Sequence, residues 1–277
     1  MDNKRKIIKI SSLQNVKLKS ALKLKDKKHR KEKGLFGVEG LKEIQCALDN
    51  KYKVSEVFFC SDLLSHEGSR LLEDILGQDK EFACHELDRK CFVKLVMREQ
   101  SGGLYIVFLP KERKDLDLYL RKESFFLALE GIEKPGNLGA IIRSADGAGV
   151  DGVFLLSGCT DIYQAQVIRN SLGSVFSLPI FSMETKNFFK NVNRYHLTTV
   201  AAALKQDSIS YSSYNYRKKG IVVLLGSEAF GLSSYCLENS DALIKIPMNG
   251  VNDSLNVSVA AAVILYEARR QLDEKTL

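Results

Sequence analysis

Residues 125–143 read FFLALEGIEKPGNLGAIIR. The first five are apolar and do not alternate with polar residues, which suits a parallel strand covered on both faces. A turn containing Gly131, Pro135 and Gly136 follows, and then helical apolar spacing begins at Leu138. Pro135 stiffens the turn, and the glycines let backbone approach a ligand closely. Strand, glycine-bearing turn, helix is the repeating unit of an α/β domain.

Working outward, the same kind of short β-rich stretch recurs at 153–156, 198–203, 221–225 and 242–246. Helical patterns lie between and after them at 138–148, 164–172, 186–193, 233–237 and 256–271. The last is apolar on nearly every side through Ala260-Ala261-Ala262-Val263-Ile264-Leu265, so it is expected to be buried in the core or against another subunit. Residues 123–277 therefore read as a doubly wound α/β domain. Upstream, 54–60 and 104–109 read as strands. Residues 41–48, 69–76 and 86–96 read as helices, behind a basic leading helix at 15–25. This is a smaller α/β domain over 1–110, joined through a charged linker at 111–122.

Charge is concentrated at one end. Residues 1–33 carry thirteen Lys/Arg against three Asp/Glu, a net of +10 in a chain whose total is +7, leaving −3 for the other 244 residues. A polyanion is the natural partner of such a segment. No apolar run reaches the ~20 residues of a membrane span, and the basic start has no apolar core of a signal peptide behind it. A cytoplasmic protein is expected. The six cysteines form no C-x-x-C pair and only four histidines accompany them, so neither a metal nor a disulfide is expected.

Two glycine patterns fail on context. Gly147–Gly152 fits G-x-G-x-x-G but follows a helix and precedes a strand, the reverse of the dinucleotide order. Gly131 and Gly136 have phosphate-loop spacing, but Asn137-Leu138 stands where Lys-Ser/Thr is required. Three other loops each join a strand end to a helix start: 130–143, 226–232 and 246–258. They carry Asn137 and Arg143, Ser227 and Glu228, and Ser254 and Asn256. In open α/β sheets ligands bind beyond the carboxyl ends of strands, so these loops mark a ligand site. Singly, each polar residue is equally suited to a cap or turn; Asp253 or Ser254 would cap the last helix.

These loops resemble the three signature motifs of the SpoU/TrmH branch of the SPOUT methyltransferases. Motif one, N-x-G-x-x-x-R, is similar to Asn137-Leu138-Gly139-Ala140-Ile141-Ile142-Arg143. Motif two resembles Gly226-Ser227-Glu228-Ala229-Phe230-Gly231-Leu232, and motif three resembles Ile246-Pro247-Met248-Asn249-Gly250 followed by Ser254-Leu255-Asn256-Val257-Ser258. Val167-Ile168-Arg169-Asn170-Ser171-Leu172-Gly173 matches a further family segment. More loosely, Ser12, Asn15, Lys17 and Gly34-Leu35-Phe36-Gly37-Val38-Glu39-Gly40 resemble an L30e-like substrate-binding domain.

The resemblance implies a C-terminal α/β-knot, a trefoil that is a rare exception to the unknotted-chain rule. It implies S-adenosylmethionine as methyl donor, with Gly226, Ile246, Met248 and Leu255 lining its pocket, and no metal. Transfer would go to a ribose 2′-hydroxyl of structured RNA. Arg143 would stand at the chemistry, Glu228, Ser254 and Asn256 would orient it and the nucleotide, and Asn137 would hold the loop or touch RNA. An arginine is an awkward base, with a free pKa above ~12, so stabilising the developing alkoxide is the expected role of Arg143, with another group assisting proton removal. The family pattern further implies a homodimer through the knotted domain and favours ribosomal RNA over tRNA. The alternatives are a tRNA methyltransferase, a methylase conferring antibiotic resistance, or a noncatalytic RNA-binding or ribosome-assembly factor of the same fold.

Overall fold

The computed structural model describes residues 7–78, 81–98, 101–111, 116–121 and 123–274. Residues 1–6 of the basic start, 112–115 and 122 of the expected linker, and 275–277 lie outside them. The chain divides into two compact units, one drawn from Met1–Glu112 with Tyr163–Phe176, the other from Arg113–Ile162 with Ser177–Leu277.

The first unit runs β1 (Ile7–Ile10), α1 (Val16–Lys23), α2 (Lys27–Lys33), β2 (Phe36–Glu39), α3 (Leu41–Asp49), β3 (Val54–Phe59), α4 (His66–Leu76), β4 (Ala83–Leu87), α5 (Arg89–Leu95) and β5 (Leu104–Phe108). The strands form a mixed sheet in the order β1-β4-β3-β5-β2, in which β5 is antiparallel to both β2 and β3. Its core gathers Leu18, Phe58, Phe92, Leu95, Tyr105 and Val107. The returning segment Tyr163–Phe176 joins it through the Tyr163 ring, stacked 4.2 Å from Phe36.

Local side chains set the helix starts here. Asn15 Oδ1 accepts the Lys17 amide at 2.8 Å and so begins α1, while Asp26 Oδ1 accepts the His29 amide at 3.0 Å and begins α2. Buried Arg30 donates to the carbonyls of Leu24 (2.8 Å) and Lys25 (3.0 Å), fixing the turn between the two basic helices. Gly34 ends α2 in the left-handed region at φ 60°. The helix expected at 86–96 begins later. Residues 83–87 pair with both β1 and β3, and Asp88 caps α5 by accepting the Cys91 amide at 2.8 Å. Two flanking strands satisfy that backbone, and helical spacing alone does not reveal them.

The second unit continues with β6 (Phe125–Leu129), α6 (Pro135–Gly147), β7 (Gly152–Leu155), α7 (Ala165–Asn170), α8 (Ser174–Ser177), β8 (Ile180–Ser182), α9 (Thr185–Arg194), β9 (Thr198–Ala202), β10 (Ile209–Ser210), β11 (Ile221–Leu225), α10 (Ser234–Glu238), β12 (Ala242–Lys245) and α11 (Val257–Asp273); of these, α7 and part of α8 belong to the first unit. The strand order is β10-β12-β9-β11-β6-β7-β8, with every neighbouring pair parallel. All five residues of β6 and of β11 are buried, as unalternating apolar strands require. The mixed α/β expectation holds, and three of the strands that precede the candidate loops, β12, β11 and β6, fall within four neighbouring positions.

One expectation about α11 is corrected. Its N-cap is Asn256, whose Oδ1 accepts the Ser258 amide at 2.9 Å and hydroxyl at 2.7 Å, rather than Asp253 or Ser254. Of the two placements expected for its apolar run, burial in the core accounts for Val257, Ala261, Ile264, Leu265 and Ala268, while Val259 and Tyr266 are about half exposed on the chain itself.

Candidate active site

Because the sheet is parallel, β6, β11 and β12 deliver their following loops to the same edge. The Glu130 amide donates to the Leu225 carbonyl at 2.9 Å, tying the exits of β6 and β11 together. Beyond Leu225 the chain makes a narrow return. The Ser227 amide donates to the Gly231 carbonyl at 3.0 Å, and the Gly231 amide to the Ser227 carbonyl at 2.9 Å. A Cβ on Gly226 would run into the backbone of Gly231 and Leu232, so this position accepts no side chain. Gly231 itself sits at φ 67°.

This return walls a cavity of about 580 Å³. Six of the residues singled out from sequence line it: Gly226, Glu228, Ile246, Met248, Ser254 and Leu255. Leu225, Leu232 and Ile264 add apolar wall, while Lys205 and Lys245 add positive charge. Two further sequence candidates join this site through hydrogen bonds. Asn137 Nδ2 donates to Glu228 Oε1, and Asn256 Nδ2 donates to Asn137 Oδ1 at 3.4 Å. One polar chain thus links motifs one, two and three across a span of 119 residues of sequence.

Arg143 is placed differently. It lies six residues beyond Asn137 on α6, about 9 Å in helical rise. It does not line the cavity, is exposed, and makes no hydrogen bond or ion pair among the described residues. Its guanidinium is therefore available to a bound partner.

Sequence reasoning missed Glu130 as a support. Its carboxylate accepts the Ser233 amide (2.8 Å), the Ser233 hydroxyl (3.0 Å) and the Thr185 hydroxyl (3.2 Å). It thereby pins the exit of the Gly226–Leu232 loop to β6. The available signal was its place as the first polar residue after an apolar strand. Lys205 and Lys245 carried no motif that could have marked them.

The site's chemistry is set by fixed polar groups. No cluster of three or more His, Cys, Asp or Glu suited to a metal is formed among the described residues. Burial pushes the Cys236 thiol up to about 12 and raises that of Cys159. Both sulfurs stay protonated and are poor nucleophiles. What remains is a slot with apolar wall and a side-chain-free position at Gly226, a hydrogen-bonded carboxylate at Glu228, and a free arginine on the neighbouring helix.

Residues 124–266 match the model of the SpoU rRNA methylase family, and residues 15–105 match that of the MRM3-like substrate binding domain. The chain is 28% identical over 261 residues to the 23S rRNA (guanosine(2553)-2′-O)-methyltransferase RlmP of Bacillus subtilis, covering 94% of this chain and 98% of that one. A solved RNA 2′-O ribose methyltransferase superposes with a TM-score of 0.82 at 32% identity, covering 98% of this chain and 100% of the other. An AdoMet-bound rRNA methyltransferase from Sinorhizobium meliloti gives a TM-score of 0.85 at 30% identity, covering 96% and 98% of the two chains.

Proposed function

We propose that this chain, which belongs to the SpoU rRNA methylase family, methylates a ribose 2′-hydroxyl of structured RNA, with S-adenosylmethionine as donor and large-subunit ribosomal RNA as substrate. The observation that carries this reading is the shared cavity. Residues from motifs two and three wall it, and Asn137 of motif one is hydrogen-bonded to its rim. The relative from Bacillus subtilis, acting on 23S rRNA, supports ribosomal RNA over tRNA.

The cavity fits the donor. About 580 Å³ lies within the ~300–1,000 Å³ usual for small-molecule sites. Ile246, Met248 and Leu255 offer apolar wall for an adenine, and side-chain-free Gly226 leaves backbone to read its edge. Bound there, S-adenosylmethionine supplies an electrophilic methyl group on its sulfonium.

The protein's own groups do the rest. Positioning provides much of the acceleration when no covalent enzyme intermediate is needed. Arg143 stabilises the negative charge that grows on the 2′-oxygen, and holds a neighbouring phosphate. Of the two carboxylates lining the cavity, Glu228 and Asp253, only Glu228 is tied to the Asn137–Asn256 chain. Glu228 is thus the group proposed to assist proton removal. Ser254 and Asn256 orient the nucleotide side of the pocket, and Asn137 holds Glu228 in place.

The remaining assignments rest on the same family. Residues 1–110 form the L30e-like RNA-binding domain and 123–277 the catalytic α/β-knot domain, joined by 111–122. The half-exposed apolar face of α11, at Val259 and Tyr266, supports a homodimer through the catalytic domain. No described helix is long and apolar enough to cross a membrane, and the proposed site of action is the cytoplasm, where ribosomal RNA is modified.

The test is calorimetry with S-adenosylmethionine, followed by transfer of labelled methyl to unmodified large-subunit ribosomal RNA and mapping of ribose methyls with and without the gene. Absence of donor binding would sink the enzyme and leave a noncatalytic RNA-binding factor. Transfer to tRNA alone would overturn the ribosomal assignment.

A further inference from the structure

The first unit holds a second cavity, of about 640 Å³, which no residue of the three signature motifs touches. It lies where helix starts converge. Gly40, the N-cap of α3, and Leu41, its first residue, both line it. Gly40 has no side chain to close that helix end, and its φ of 92° is a conformation that favours glycine. The nine-residue α3 therefore presents uncapped amides and the positive end of its dipole to the cavity.

The side chains around it are donors. Ser101 lines the cavity at only 5% exposure, and its hydroxyl is buried with no hydrogen-bond partner. A buried, unpaired hydroxyl is costly, and native proteins keep few of them. Ser65 also lines the cavity. Its oxygen already accepts the Gly68 amide at 3.0 Å, which leaves its proton to donate. Arg89 adds a guanidinium. Among the described residues no carboxylate lines the space. The acids adjacent in sequence to its lining are Glu39, whose carboxylate accepts the Met97 amide at 2.6 Å, Asp62 beside Leu63, and Asp88, whose Oδ1 caps α5; the Glu43 carboxylate folds back beside Gly40. Glu43 opposes an anion and provides a signed control.

We propose that this cavity binds an oxyanion, and that its occupant is a phosphodiester of the RNA substrate; the second clause rests on the RNA methyltransferase reading above. A helix start, two hydroxyls and an arginine form the donor set that phosphate takes. In this arrangement the basic helices α1 and α2 attract RNA, and the cavity fixes one phosphate of it. The cavity thus supplies register to an attraction that otherwise has none.

The test uses the full chain and two probes. Inorganic phosphate titrated into isotope-labelled protein is expected to shift the amides of Gly40, Leu41 and Gly102. The R89Q/S101A double variant should bind phosphate about tenfold more weakly, as expected for lost hydrogen bonds to a charged group. E43Q should bind phosphate more tightly. Unmodified large-subunit ribosomal RNA is the second probe. R89Q/S101A should lower its affinity and reduce the slope of log affinity against log salt by about one, with S-adenosylmethionine affinity unchanged. S101A alone is the conservative variant that keeps the fold, and it should weaken phosphate in the same direction.

No amide shift with phosphate in the wild-type chain overturns the site, and so does weaker phosphate binding by E43Q. A phosphate response with unaltered RNA affinity and salt slope overturns the RNA phosphodiester as occupant. Failure of the enzyme reading looks different: S-adenosylmethionine binding is lost while the phosphate response stays intact.

Discussion

The two sheets collect polar groups in opposite ways. In the second unit all seven strands run parallel, so their carboxyl ends share one edge. The loops after β6, β11 and β12 meet there although residues 130 and 246 are far apart in sequence. What gathers is apolar wall, the carboxylates of Glu228 and Asp253, and fixed backbone. In the first unit the sheet is mixed, and chemistry collects at helix starts and on the exposed faces of α1 and α2. What gathers there is donors and positive charge. The first arrangement suits a small donor molecule and a reacting oxygen, and the second suits a polyanion. Under the proposed function, one chain separates the capture of RNA from chemistry on it.

The largest expected effect tests the chemical half. Arg143→Ala should lower turnover about 10²–10³-fold, the range for losing a group that stabilises developing negative charge. Single-turnover methyl transfer measures it, and RNA affinity should change far less. Arg143→Lys should recover little of the rate, because an ammonium cannot make paired contacts with phosphate and ribose oxygens. Near-normal turnover by the lysine variant would remove the bidentate role.

Gly226→Ala comes next. Its Cβ has no room beside Gly231 and Leu232, and forcing such a clash costs about 1–3 kcal/mol. Calorimetry should show donor affinity falling at least about tenfold, by the same arithmetic, with RNA binding by the first unit retained. An equal loss of both would mean that the two halves do not act separately. Asn137→Ala should cost about 0.5–1.5 kcal/mol at the rim, the net value of a typical hydrogen bond. That loss should appear in the rate more than in the donor's dissociation constant.

The capturing half is probed by charge. Lys19 and Lys23 are exposed on α1. Neutralising both to Gln should reduce the salt slope of RNA binding by up to about two and leave saturated turnover unchanged. A fall in saturated turnover with an unchanged slope would reverse the assignment of the two units.

Legibility follows the same division. Periodicity found β6 and β11 with their observed bounds because parallel, doubly covered strands leave an unbroken apolar run. Three loops with glycine and polar residues pointed to a ligand edge, and the family resemblance supports the proposed methyl-donor site there. The mixed sheet was harder to read. Strands β1, β2 and β4 are short and carry polar residues, such as Lys9, Glu39, His85 and Glu86. Their pairing with distant neighbours, not local pattern, decides them. The site's hidden parts are of the same kind. Glu130 matters because Ser233 and Thr185 come to it from elsewhere in the fold. Ser101 stands out because its hydroxyl finds nothing. Neither fact is local to the sequence.

The smallest expected effect concerns how the first unit holds α1 against its sheet. Glu56 Oε1 accepts the Lys17 ammonium at 3.1 Å, and Glu56 Oε2 lies 3.1 Å from Nε2 of buried His85. Burial raises the Glu56 carboxyl, but the hydrogen bonds from His85 and Lys17 outweigh it, and the group sits below the ordinary carboxylate range. A carboxyl lowered in the folded state contributes stability that is complete above its unfolded pKa of ~4.3. That contribution fades as pH falls through the lower folded value. Glu56→Gln should therefore be less stable than the wild type at neutral pH by about 0.5–1.5 kcal/mol, the scale of one partly exposed hydrogen bond. The gap should begin to close as pH falls below about 4.3 and vanish once Glu56 is protonated in the folded chain as well. Denaturant midpoints of the two chains, measured between pH 3 and pH 7, read the difference directly. A gap that persists unchanged into acid would mean that residue 56 acts through packing, and that the charge linking α1 to β3 and β4 contributes nothing.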